Sequence, residues 1–120
     1  MRISEDEFTA LVARALDNLP PEFAAALDNI AVVVEDQASA IDLAEVGLDH
    51  PDDLLGLYRG VPLTERQTEF VGGLPDQVVI YRLPIVRICE TRREVVREVR
   101  DTVVHELGHH FGLSDDDMPF

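Results

Sequence analysis

The last helix-forming stretch of this chain has two faces that need different surroundings. Thr91 followed by Glu94 is a capping-box pattern that opens a helix. Gly112 suits the position just past its end, where a left-handed backbone is needed. At about 100° per residue, Val95, Val96, Val99, Val103 and Leu107 fall on one side. His105, His109 and Thr102 fall on an adjacent side, with Glu106 near the border. One face must be covered by a core and the other must stay accessible, so the rest of the chain has to build a layer on one side of this helix only.

The upstream sequence offers the parts of such a layer. Ser4 and Glu7 form a second capping box. Behind it Phe8, Leu11, Val12, Ala15, Leu16 and Leu19 recur at helical spacing, which predicts an amphipathic helix over residues 5–18, stopped by Pro20. Pro21 can open a second short helix carrying Phe23, Ala26, Leu27 and Ile30. Ala31–Val34 is a β-branched run and predicts a buried strand. Residues 36–53 read as acidic and irregular, with a helical turn near Ala40–Val46. Leu54–Tyr58 predicts a second strand, residues 61–76 a long loop punctuated by Gly72, Gly73 and Pro75, and Gln77–Tyr81 a third strand. Pro84 starts a short apolar helical segment through Cys89. Helices, then short strands, then a helix predict an α+β class: a small sheet packed against an N-terminal and a C-terminal helix. With 120 residues, all of it belongs to one domain, residues 1–120.

Composition narrows the partners. The formal net charge of −14 repels phosphate backbones and anionic lipid, so neither nucleic acid nor membrane is expected. No apolar run approaches the roughly 20 residues that span a bilayer. Acidic residues at Glu5, Asp6 and Glu7 argue against a secretory signal, and a single cysteine cannot form an internal disulfide. A cytoplasmic monomer is the expectation. Cys89, beside Ile85 and Ile88, reads as a small core residue. His50, in Asp49-His50-Pro51-Asp52-Asp53, reads as part of a solvated loop.

The accessible face of the last helix carries the chemistry. His105-Glu106-Leu107-Gly108-His109 is an H-E-x-x-H sequence. Residues four apart stack on one helical face, so both imidazoles can reach one metal ion. Glu106 lies roughly 100° around the helix from His105 and flanks the metal, where a general base for an activated water belongs. Gly112 permits a sharp turn that lets Asp115 come back toward the helix as a third ligand, leaving one position open. Three protein ligands and an open position are the pattern of a catalytic zinc. His110 falls on the apolar side and reads as a hydrogen-bonded core histidine, with recruitment as a ligand the other option. Asp116 or Asp117 could in principle complete a closed, structural site.

At these residues the sequence resembles the zincin metallopeptidases, with His105-Glu106-x-x-His109-x-x-Gly112-x-x-Asp115 similar to the extended metzincin-type motif ending in aspartate. The chain also resembles a family of small bacterial zincin-like proteins through its N-terminal helix, Leu55–Leu63, Gly73-Leu74-Pro75-Asp76 and Ile80-Tyr81-Arg82. The resemblance implies a zinc-dependent peptidase. Zn²⁺ would sit on His105, His109 and Asp115, with Glu106 as the base, and the substrate would be an extended peptide or protein segment paired along an edge strand. The Gln77–Tyr81 strand is a candidate for that edge. Tyr58, Tyr81 and Arg82 are candidate donors to the reacting carbonyl, each with a structural role as the simpler reading. Met118 lies too close to Asp115 in the sequence to be the buried methionine beneath the metal that a metzincin carries. The competing reading is a zinc-binding protein that holds a peptide or partner without cutting it.

Overall fold

The computed structural model describes residues 1–60 and 75–119, apart from the side chain of Asp115. Most of the loop expected over 61–76 therefore lies outside the described residues. The elements run α1 (Glu5–Leu16), α2 (Pro21–Ala26), β1 (Ile30–Glu35), α3 (Ala40–Val46), β2 (Gly56–Arg59), β3 (Asp76–Tyr81), α4 (Arg82–Ile88) and α5 (Arg92–His110). Short 3₁₀ turns cover Pro51–Asp53 and Asp115–Asp117.

The three strands form one mixed sheet in the order β1-β3-β2. β1 runs parallel to β3, pairing Ile30 with Asp76 through to Glu35 with Tyr81. β2 runs antiparallel to β3, from Gly56 opposite Ile80 to Arg59 opposite Gln77. The Gln77–Tyr81 segment is therefore the central strand, which corrects its assignment as the edge that would receive a peptide. Val78, Val79, Ile80 and Tyr81 are all fully buried, as a strand covered on both faces requires. Among the described residues β2 is a terminal strand, and it is the strand that lies against α5.

Pleating splits the central strand between two cores. Val78 and Ile80 join Phe8, Leu11, Val12 and Ala15 of α1 and Val95, Val99, Val103 and Leu107 of α5 in the main core. Val79 and Tyr81 face the other way, onto Leu43 of α3 and Ala38 just before it. α1 packs directly on α5, and Arg92 at the start of α5 clasps Glu7 of α1 at 2.6 Å. Both capping boxes form as expected: Ser4 Oγ accepts from Glu7 N and Thr91 Oγ1 from Glu94 N, each at 3.1 Å.

The boundaries differ from the sequence expectation by small amounts with local causes. α1 stops at Leu16 because Asn18 and Leu19 tighten into a turn before Pro20, donating to the carbonyls of Ala15 and Leu16. β2 begins at Gly56 rather than Leu54, whose N–H is taken by Pro51 O in the preceding 3₁₀ turn. Cys89 is buried among core residues as expected, and burial pushes its thiol pKa up. His50 lies in an exposed turn, its Nδ1 accepting from Asp52 N at 3.1 Å. Among the described residues, no helix is long and apolar enough to cross a membrane.

Candidate functional site

Five fully buried apolar side chains, Val95, Val99, Val103, Val104 and Leu107, fix the rotation of α5 about its axis. That rotation brings Glu106 onto Tyr58 of β2 and sets His105 beside Leu54, Leu55 and Gly56, with His109 one turn further on and exposed. The rings of His105 and His109 lie with centroids 6.1 Å apart and planes inclined at 68°. Two imidazoles set edge to face one turn apart can present nitrogens to a common point from different directions. Neutral imidazole nitrogen is a zinc donor, so this pair fits that cation.

Glu106 is half-buried, and its Oε1 accepts a hydrogen bond from the backbone N–H of Tyr58 at 3.0 Å. Burial raises the Glu106 pKa above the usual carboxylate range, while the Tyr58 N–H, His109 and His105 pull it back. The balance leaves a carboxylate that is a better proton acceptor than an exposed one. The contact depends on a close approach of β2 to α5 made possible by Gly56. A Cβ at that position would lie 2.5 Å from Thr102 Cγ2 and 3.0 Å from Val79 O.

Beyond His110 the chain reverses. Gly112 adopts the left-handed conformation at φ 85°, its N–H bonds to His109 O at 3.0 Å, and Leu113 N–H bonds to Gly108 O at 2.9 Å. The tail then folds beneath α5. Met118 is buried in the main core, and its Sδ and Cε fill the space beside Gly108, where a Cβ would collide with them. Methionine thus packs under the helix despite its short separation from Asp115. Asp115 begins the 3₁₀ turn of this return, but its side chain lies outside the described residues, so its place as third ligand stays an expectation. Among the described residues, no three metal-ligating side chains come together. Asp117 is engaged locally, its Oδ2 accepting from Ser114 Oγ at 2.9 Å and Ser114 N at 3.3 Å.

His110 is exposed, which corrects the reading of it as a core residue. It leaves the apolar face because Tyr58 offers a flat partner outside the core. The two rings stack with centroids 4.0 Å apart and an angle of 11°, and Tyr58 Oη lies 3.2 Å from His110 Nε2. The same hydroxyl donates to Asp76 Oδ2 at 2.6 Å. Tyr58 therefore meets the site through its backbone, while its phenol bridges β2, β3 and the end of α5. The other two candidate donors are also held structurally. Tyr81 is buried, with its pKa pushed up to about 12 chiefly by that burial. Arg82 is held by Asp36 and by Ile3 O at 2.9 and 2.8 Å. Sequence reasoning does not anticipate the Tyr58 N–H on Glu106, because a backbone donor leaves no mark in residue identity.

A groove of about 480 Å³ runs along this edge. Leu54, Leu55 and Gly56 form one wall, Glu98, Asp101 and Thr102 the other, and it ends at His105 and Glu106.

A histidine pair and an intervening carboxylate on a helix packed across a small mixed sheet define a zincin-like domain. The chain belongs to the family of zincin-like metallopeptidases, whose model matches residues 27–119. That membership implies zinc binding in general terms. Among solved structures the fold is similar to a conserved hypothetical protein from Thermo thermophilus, at 24% identity and a TM-score of 0.53, covering 91% of this chain and 94% of that one. Comparison with curated proteins gives no significant match.

Proposed function

We propose that this protein is a zinc-dependent peptide hydrolase. The observation that carries the reading is the half-buried Glu106 carboxylate, flanked by His105 and His109 and oriented by the Tyr58 N–H. A site that only held a cation would have no use for a base prepared in this way.

His105, His109 and Asp115 would hold the metal. Bound zinc supplies a Lewis acid that makes a water molecule acidic near pH 7. Glu106 keeps Oε1 on Tyr58 and uses Oε2 to take the proton of the attacking water. It later returns that proton to the leaving amine. The substrate would lie extended along β2. Tyr58 directs its N–H away from β3, and the period-two pleat turns the Gly56 N–H and C=O to the same outer edge. An added strand pairs with Gly56, which brings the next peptide bonds opposite Glu106.

The test starts with metal analysis. Purified protein is expected to carry about one zinc, and the His105→Ala plus His109→Ala variant none. A broad peptide library should give cleavage that a chelator abolishes, and Glu106→Gln should keep its zinc and lose turnover. Stoichiometric zinc without any cleavage would favour a non-catalytic binder on the same scaffold. Full activity in Glu106→Gln would remove the base.

A further inference from the structure

The groove that ends at His105 and Glu106 has a chemistry that distinguishes one kind of side chain from others. Its volume of about 480 Å³ is within the range that encloses a ligand group rather than a few waters. Leu54 and Leu55 give it an apolar flank. On the opposite side Glu98, Asp101 or Thr102, and His105 follow at intervals of three to four residues, so they share one face of α5.

The two groove carboxylates are in different states. Asp101 Oδ1 already accepts from Arg100, with Nη2 at 2.9 Å and Nε at 3.1 Å. Glu98 makes no hydrogen bond or ion pair among the described residues, although it is half-buried. The charged groups that act on it are Asp101, Arg97 and His105, all on its own helix. A partly desolvated carboxylate facing a groove and lacking a partner gains most from an incoming cation. The apolar flank fixes which cation. A long basic side chain can lay its methylenes on Leu54 and Leu55 and carry its charged head to Glu98, whereas a bare metal ion would leave that flank uncovered. The overall charge of −14 attracts such peptides before contact.

We propose that this groove is a specificity subsite for a lysine or arginine side chain of the bound peptide, selected by Glu98 and seated by Leu54 and Leu55. The proposal rests on the peptidase reading of the adjacent site. A peptide strand paired at Gly56 projects one of its alternate side chains toward α5, and this groove is what that side chain meets.

Two measurements test it together. The first is cleavage profiling of the zinc-loaded protein with peptides scanned at each position for lysine, arginine, norleucine and glutamate. The second is fluorescence-anisotropy binding of the same peptides to zinc-loaded Glu106→Gln, which requires no turnover. Lysine or arginine is expected to exceed norleucine by about three- to five-fold at one position, as suits a partly exposed ion pair. The preference should shrink with added salt, vanish in Glu98→Gln, and turn toward glutamate in Glu98→Lys. Far-ultraviolet circular dichroism melts confirm that the variants fold. Cleavage or binding with no basic preference, or with a preference that survives in Glu98→Gln, overturns the subsite alone. Glu98-dependent binding of lysine peptides by a protein that cuts none overturns the hydrolase and keeps the subsite. A protein that neither binds nor cuts any of these peptides overturns both.

Discussion

Replacing Gly56 with alanine tests the contact on which the geometry of the site depends. Gly56 does not occupy the left-handed region, so alanine meets no backbone penalty there and any cost is steric. The added Cβ would lie 2.5 Å from Thr102 Cγ2 and 3.0 Å from Val79 O. Neither neighbour yields easily: Thr102 is β-branched and stiff on a packed helix, and Val79 O belongs to the central strand. Overpacking of this kind costs about 1–3 kcal/mol. Stiffening the unfolded chain returns about 0.4–1 kcal/mol. If β2 moves off α5 to relieve the clash, the Tyr58 N–H leaves Glu106, and a hydrogen bond to a charged group contributes about 1.5–3 kcal/mol. A net loss of about 2 kcal/mol follows from these terms, equivalent to a fall in melting temperature of about 8 °C for a domain of this size. Thr102→Ser removes the closest contact. Urea denaturation of the wild type, both single variants and the double variant should give a coupling of about 1 kcal/mol in favour of the double. A Gly56→Ala protein as stable as the wild type, or a Thr102→Ser change that recovers nothing, would refute the idea that glycine is needed for this approach.

Two further outcomes are expected. Glu98→Gln should stabilise the metal-free protein at pH 7, because burial and then Asp101 raise the Glu98 pKa, so its charged form is less favourable folded than unfolded. The wild type recovers that difference as pH falls through the raised folded pKa, and the recovery is essentially complete once pH is below the ordinary carboxylate value of about 4.3. Urea midpoints at pH 7 and pH 4 check this, and an offset independent of pH would contradict it. Met118→Ala should cost about 2–3 kcal/mol as a buried truncation. It should also weaken zinc retention in a chelator competition, because Met118 seats the tail that carries Asp115; unchanged retention would detach the tail from the site.

Much of this architecture is legible in the sequence because helices announce their ends and faces. The capping residues Ser4 and Thr91, Pro20 and Gly112 mark the two long helices, and the valines of α5 mark its buried face. The H-E-x-x-H spacing is itself a helical periodicity, so His105, Glu106 and His109 can be placed before any fold is known. Strand order has no such signature. Nothing in Gln77–Tyr81 alone separates a central strand from an edge, since a run of valine and isoleucine suits both, and only pairing on both sides decides it. His110 eludes sequence reasoning for a related cause. A helical wheel assigns it to the apolar side, but the wheel carries no information about Tyr58, fifty-two residues away, which provides a ring to stack on. The Tyr58 N–H donor escapes notice because every residue but proline has one.

The position of Glu106 bears on what happens at the rim of β2 when another copy of the chain approaches it. A short terminal strand with outward N–H and C=O groups is a template onto which another copy's strand can zip, and the usual safeguards are charges placed at that rim. Glu106 puts its carboxylate where a neighbouring strand would place a carbonyl. A strand zipping along the whole of β2 meets that negative charge at Tyr58, whose outward N–H is already taken. The residue proposed to activate water would on this account also act as a gatekeeper against aggregation, and neutralising it would expose the rim as well as silence the chemistry.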